Sequence, residues 1–229
     1  MKYINILFFF LSFPCFSQLY IGANGGLAIS DLNGVYRTVK KNEHVGYKVG
    51  FSLQYMLSKF GIESGLYIAE KGISNSEGIL EVDQKFYRTS LEISPLYMEL
   101  PVSLVYNIPI ERKVNLQINL GGYFAYGFQG KGLISVEDFG SKYGILAFED
   151  IEIINHQEIG EFTAKGANRF DFGLTSGVGL IVHNIKIKAN YDFGLCNVFD
   201  VYPIQADNRN KVKNRTFWIE LGYNLKLSN

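Results

Sequence analysis

Hydrophobic and polar positions alternate along most of this chain. From Ile185 to Leu195, the positions Ile185, Ile187, Ala189, Tyr191, Phe193 and Leu195 are apolar or aromatic, while Lys186, Lys188, Asn190 and Asp192 between them are charged or polar. A period of two is that of a β-strand, whose successive side chains leave a pleated backbone on opposite faces. The same alternation recurs over residues 19–30, 44–57, 60–71, 97–108, 114–128, 168–183 and 215–227, so eight strands are predicted. No run of eighteen or more apolar residues in the mature chain predicts a membrane-spanning helix.

The connections sharpen the picture. Ser58-Lys59, a turn around Pro109 to Lys113, and His183-Asn184 are short, whereas 31–43, 72–96, 129–167 and 197–214 are long and polar. Short and long connections strictly alternate. The predicted fold is therefore all-β, an eight-stranded antiparallel up-and-down transmembrane β-barrel with short periplasmic turns and long extracellular loops.

Separating the two faces of the strands supports the membrane assignment. One set contains Leu116, Ile118, Leu120, Phe124, Phe170, Phe172, Leu174, Val178, Leu180, Phe217, Ile219, Leu221, Tyr223 and Leu225. The opposite set contains Asn115, Gln117, Asn119, Arg169, Asp171, Thr175, Gly177, Gly179, Trp218, Glu220, Asn224 and Lys226. A soluble barrel turns the apolar set inward; a membrane barrel turns it toward lipid. The segments also match the roughly 9–11 residues that a tilted strand needs to cross the hydrocarbon.

With the polar set inside, a lumen charge network is expected from Lys48, Arg169, Lys186, Lys188 and Lys226 against Glu63, Glu99, Asp171, Asp192 and Glu220. Eight strands enclose a space just wide enough for side chains, so the expected lumen is a salt-bridged plug rather than an open pore. Glycines at 22, 26, 50, 61, 65, 121, 173, 177 and 179 are expected to make room for the long charged chains.

Composition agrees with a barrel: 24 Gly, 15 Tyr and 18 Phe are high for a globular chain of 229 residues. The 22 Lys+Arg balance the 22 Asp+Glu, so no nucleic-acid partner is implied, since that requires a strongly basic face. At the N-terminus Lys2, the apolar run Ile4 to Phe13, Pro14 and the small residues Cys15 and Ser17 have the layout of a secretory signal peptide. Residues 1–17 are read as that signal and 18–229 as the barrel domain. Cys15 then leaves with the signal, and Cys196, the remaining cysteine, can form neither an internal disulfide nor a structural zinc site.

The strand YMELPVSLVYNI, Tyr97 to Ile108, resembles the Tyr-x-Glu-(Ile/Leu)-Pro strand of the PorT-like, or porin-family, outer-membrane barrels of the Bacteroidetes group. Arg169, Asp171 and Gly173 in NRFDFG, then YDFGLCNV from Tyr191 to Val198, and the ending WIELGYNL continue the resemblance along the mature chain. The C-terminus departs from it, running on to Leu227-Ser228-Asn229 where such barrels commonly end in an aromatic residue. The resemblance implies a bacterial outer-membrane location, outer-membrane lipid as a partner, and contact with other envelope or secretion proteins.

Candidate chemistry is sparse. The chain contains no Gly-x-Ser-x-Gly, His-Glu-x-x-His or Gly-x-Gly-x-x-Gly motif. His44 and Asp171 are expected near the outer end of the lumen, where the bland reading is a structural or solvated histidine. The loop Phe148 to Phe162 gathers Glu149, Asp150, Glu152, His156, Glu158 and Glu161, without the spacing of a calcium loop, and reads as a solvated acidic loop or a hairpin above the membrane. Glu99 beside Pro101 reads as an inward carboxylate paired with a lumen cation next to a strand kink. The expectation is a small non-enzymatic outer-membrane barrel, without cofactor or metal, acting through its extracellular loops. The alternatives are a component of a secretion complex, or a soluble periplasmic lipid-binding barrel, which requires an apolar interior.

Overall fold

The computed structural model describes residues 17–33, 40–82, 85–138, 157–158, 168–198 and 212–227. The strands are β1 (Ser17–Asn33), β2 (Lys40–Leu57), β3 (Phe60–Glu70), β4 (Ile73–Val82), β5 (Lys85–Glu111), β6 (Val114–Asp138), β7 (Gln157–Glu158), β8 (Phe170–Val182), β9 (Ile185–Gly194) and β10 (Lys213–Lys226). Eight of them form a closed antiparallel ring in the order β1, β2, β3, β5, β6, β8, β9, β10. The ring closes where β1 pairs with β10, from Tyr20↔Lys226 to Asn33↔Lys213. Closure gives the backbone of the ring a partner on both sides, the condition for crossing a bilayer with strands.

The short connections are tight because the first residue of two of them adopts a left-handed conformation, Ser58 at φ 61° and His183 at φ 58°. Primed hairpin turns need that positive φ, since their twist matches the strands they join. Arg112-Lys113 forms the third turn at this end.

Polarity is inverted relative to a soluble protein. Leu27 is 62% exposed, Phe51 68%, Leu104 67%, Leu120 64%, Phe124 67% and Phe170 67%, while Lys71, Glu99 and Lys186 are each 0% exposed. A continuous apolar exterior of this extent suits hydrocarbon and not water. The interior also removes the soluble lipid-carrier reading, because it is filled by lysines and carboxylates.

One expectation changes. The connection 72–96, expected as a polar loop, is almost entirely strand, and residues 129–138 of the connection 129–167 continue β6. β4 and the outer half of β5 pair from Ile73↔Ile93 to Val82↔Lys85, and β5 stays paired with β6 out to Tyr87↔Asp138. Residues 85–95 thus lie beyond the last pair with β3, Glu70↔Leu96, a run of roughly 35 Å at ~3.3 Å per residue. These segments satisfy their backbone groups by continuing the ladder of the wall, a gain that a window of local polarity does not register. Pro101 stands in β5 as a missing ladder bond without a bulge. The β3–β5 register is the same on both sides of it, with the pairs between Ser64↔Val102 and Tyr67↔Glu99 missing, as an imide without an N–H dictates. Register shifts of β5 against β6 lie between Leu96 and Tyr97, where Phe128 is the extra residue of β6, and between Pro109 and Glu111, where Ile110 is the extra residue of β5.

Candidate functional site

Inward-facing positions build two stacked clusters of charge in the lumen. Their nine ionisable members, Lys48, Glu63, Lys71, Glu99, Asp171, Lys186, Lys188, Asp192 and Glu220, are none of them more than 7% exposed.

The cluster nearer the short turns is centred on Glu63 of β3. Its Oε2 accepts from Lys186 Nζ at 2.8 Å and its Oε1 from Lys188 Nζ at 2.7 Å. Lys186 and Lys188 are two residues apart on β9, so the strand period puts both on the inner face, one above the other. Lys188 Nζ also lies 3.7 Å from Glu220 Oε1, on the neighbouring strand β10.

The cluster nearer the long connections is centred on Glu99 of β5. Its two oxygens take the ammonium groups of Lys48 and Lys71 separately. Lys71 Nζ also lies 3.8 Å from Asp192 Oδ2, which accepts a hydrogen bond from Trp218 Nε1. Aromatic faces enclose the two cations. Lys48 Nζ is 4.2 Å from the Trp218 ring centroid and 4.8 Å from that of Tyr67, and Lys71 Nζ is 4.2 Å from that of Tyr123. Buried ammonium groups need this environment, because the negative ring face replaces part of the lost hydration. Above it, Asp171 Oδ2 accepts from Tyr123 Oη at 3.1 Å and from Asn214 Nδ2 at 2.9 Å.

Glycines give the rings their space. A Cβ on Gly50 would sit 2.8 Å from Tyr67 Cδ1, one on Gly65 2.5 Å from Tyr67 Cε2, and one on Gly173 2.7 Å from Tyr123 Cε1. At these positions the glycines accommodate aromatic rings rather than the long charged chains expected from the sequence.

Of the ten lumen residues named from the sequence, eight line these clusters. Arg169 is not among them: at the outer rim it donates to Tyr126 Oη at 2.9 Å and lies over that ring, 5.9 Å from its centroid. Lys226 is exposed at the inner end of β10. Both have the inward parity, but the strand ends there and the side chain reaches out of the barrel. Lys71 was missed, although it continues the odd-numbered series Gly61, Glu63, Gly65, Tyr67 and Ala69 along β3. Tyr67, Tyr97 and Tyr123 were missed because aromatic residues read as lipid-facing, yet each shares the parity of an inward polar residue. Near the outer rim His44 Nε2 lies 3.0 Å from Glu70 Oε1, while Ser30 Oγ accepts from Gly72 N at 2.8 Å. Among the described residues no group of three or more metal-ligating side chains gathers. The acidic stretch 148–162 lies outside the described residues except for Gln157 and Glu158, which pair with Gly132 and Lys131.

An interior of paired charge inside an apolar wall matches a barrel that spans a membrane, and the family model for the outer membrane protein beta-barrel domain matches residues 12–200. The chain belongs to this family. Its location is accordingly the outer membrane, and the short turns lie on the periplasmic side. No curated protein matches the sequence. Solved structures similar to this barrel include Neisserial surface protein A, at 14% identity, covering 91% of this chain and 97% of that one with a TM-score of 0.40. The attachment invasion locus protein Ail of Yersinia pestis, in complex with the heparin analogue sucrose octasulfate, is similar at 15% identity, covering 91% and 99% with a TM-score of 0.41. OprG from Pseudomonas aeruginosa follows at 11% identity, 92% and 97% coverage and a TM-score of 0.44. The identification rests on the closed ring of strands and the family match.

Proposed function

We propose that this outer-membrane barrel is a non-enzymatic binding or envelope-organising protein whose lumen is plugged and whose work is done by its outer segments. The observation that carries this reading is the Glu99 cluster, in which Lys48, Lys71, Asp192, Tyr67, Tyr123 and Trp218 meet across the middle of an eight-stranded lumen. Removing any one of these groups would leave an unpaired buried charge or a void, so the cluster acts as a static brace. A non-enzymatic role is supported by the outer rim, where the polar groups considered for catalysis among the described residues are each held by a structural partner. The His44 ring is held by Glu70, the Ser30 hydroxyl is bonded to backbone, and Asp171 is held by Tyr123 and Asn214. The extension of β4, β5 and β6 past the membrane supports an outward task, because it presents a paired sheet well clear of the lipid surface.

The test joins conductance to complementation. Purified protein in planar bilayers is expected to show no discrete ion-conductance steps. A deletion strain should be restored by a Glu63→Gln lumen variant and not by a chain whose β4–β5 hairpin is trimmed to a short turn. Conductance steps in the native protein, or full restoration by the trimmed chain, would overturn the proposal. Loss of protein export in the deletion strain, with envelope permeability unchanged, would favour the secretion-complex role that the resemblance implies.

A further inference from the structure

Among the described residues the outer surface carries no charged side chain across the middle of the barrel. On β10, for example, the outward positions from Phe217 to Leu225 are Phe217, Ile219, Leu221, Tyr223 and Leu225, and on β3 those from Phe60 to Ile68 are Phe60, Ile62, Ser64, Leu66 and Ile68. Charge returns at both rims, but in different forms. At the outer rim Asp31, Glu43 and Glu70 accompany Arg169 and Arg215, and both arginines lie against aromatic rings, Arg215 at 3.5 Å from the Phe193 centroid. The inner rim is basic: Lys59, Arg112, Lys113 and Lys226 are all exposed, and among the described residues Glu111 is the one carboxylate beside them. None of the four cations has an ion-pair partner among the described residues.

Their placement is what identifies a partner. Lys59 follows the exposed Leu57 and precedes Phe60, Arg112 and Lys113 follow Ile110, and Lys226 lies between Leu225 and Leu227. Each cation therefore lies within three residues of an exposed apolar side chain at the inner edge of the wall, and the four are distributed around the circumference on the β2–β3 turn, the β5–β6 turn and β10. Aromatic residues of the kind that sit at headgroup level flank them. Phe60 and Tyr106 rings are 4.6 Å apart, and Tyr223 Oη accepts from Asn184 Nδ2 at 3.3 Å. A protein or polymer binding from the periplasm would be served by one patch facing down; a ring at the hydrocarbon boundary faces sideways, into phosphates.

We infer that Lys59, Arg112, Lys113 and Lys226 form a basic collar that binds the anionic phospholipid headgroups of the periplasmic leaflet. Long cationic side chains at the edge of an apolar wall extend toward the interface, and each near an anionic surface favours the charged lipid about fivefold.

The experiment uses the full barrel in phosphatidylcholine vesicles, with trace spin-labelled phosphatidylglycerol or spin-labelled phosphatidylcholine, and reads the protein-bound lipid fraction by electron spin resonance. Both leaflets have one composition, so orientation of the barrel does not affect the result. Phosphatidylglycerol is expected to be preferred about two- to fivefold in 10 mM salt, falling toward no preference in 0.5 M salt as the charges are screened. The variant K59Q/R112Q/K113Q/K226Q should lose the preference, the variant R112Q/K113Q should lose part of it, and R169Q/R215Q should retain it. The Trp218 emission spectrum checks that each variant folds. Equal binding of the two lipids by the native barrel, an undiminished preference in the quadruple variant, or an equal loss in R169Q/R215Q would overturn the inference. Equal lipid binding together with salt-sensitive co-sedimentation on purified peptidoglycan would overturn it in favour of the cell wall.

Discussion

Replacing Glu99 by Gln keeps the side-chain volume and removes the carboxylate whose two oxygens pair with Lys48 and Lys71. Taking away one partner of a buried ion pair destabilises by about 3–5 kcal/mol, because the remaining charge is left without compensation. Here two ammonium groups lose a partner, but each retains others. Lys71 keeps Asp192 at 3.8 Å and the Tyr123 ring at 4.2 Å, and Lys48 keeps the Trp218 ring at 4.2 Å. Such ring contacts contribute about 0.5–2 kcal/mol each and are present before and after the change, so the expected loss stays at about 3–4 kcal/mol. The assay is reversible urea unfolding of the barrel in lipid vesicles. Trp218, the single tryptophan of the chain, reports it directly, since its Nε1 donates to Asp192 inside the same cluster. The exposed Glu111→Gln serves as a control and should change stability by less than ~0.5 kcal/mol. Adding Lys71→Met to Glu99→Gln removes one uncompensated cation and should recover at least ~1 kcal/mol of the loss. A Glu99→Gln variant within ~1 kcal/mol of the native protein, or a double variant showing simple additivity, would refute the reasoning that Glu99 is the electrostatic centre of the lumen.

Two further outcomes follow from the inverted packing. Gly50→Ala, whose new Cβ would meet Leu66 O at 2.2 Å and the Tyr67 ring at 2.8 Å, should lower urea stability by about 1–3 kcal/mol, whereas Gly25→Ala, with nothing closer than Val49 Cγ1 at 3.6 Å, should be near neutral; equal effects would show that Tyr67 is not seated as described. With Cys196 removed, a single cysteine at Ile187 should react with a lipid-phase probe and one at Lys188 should not, since the native side chains there are 52% and 7% exposed; labelling of both would mean that the β9 wall does not separate lumen from lipid.

The eight strands of the closed ring, the alternation of short and long connections and the direction of each strand face are legible in the order of residues alone. A strand of period two reports both of its environments, and the sequence places Lys186 and Lys188 opposite Ile185 and Ile187 whatever lies next to them. Eight of the ten anticipated lumen residues line the interior for the same reason. Parity fails only at strand ends, where Lys226 and Arg169 leave the barrel, and hydrophobicity misleads only for rings such as Tyr67 and Tyr123, whose polar hydroxyls and broad faces serve a charged interior as well as a lipid boundary.

Which charges meet is a different kind of fact. Glu63 binds Lys186 and Lys188, 123 and 125 residues away, and Glu99 binds Lys48 from a strand that is not its neighbour. Those pairings depend on register, strand tilt and closure of the ring, none of which is encoded in the local alternation that identifies a strand. The continuation of β5 and β6 beyond the membrane is likewise a property of paired backbones, since the outer part of β5 is held between β4 and β6 and that of β6 is paired with β5. Sequence alone therefore determined which side of the wall each residue occupies, through the geometry of one pleated strand. Tertiary structure decided which partners cross the lumen, because opposite charges can be matched only after the ring has set their heights.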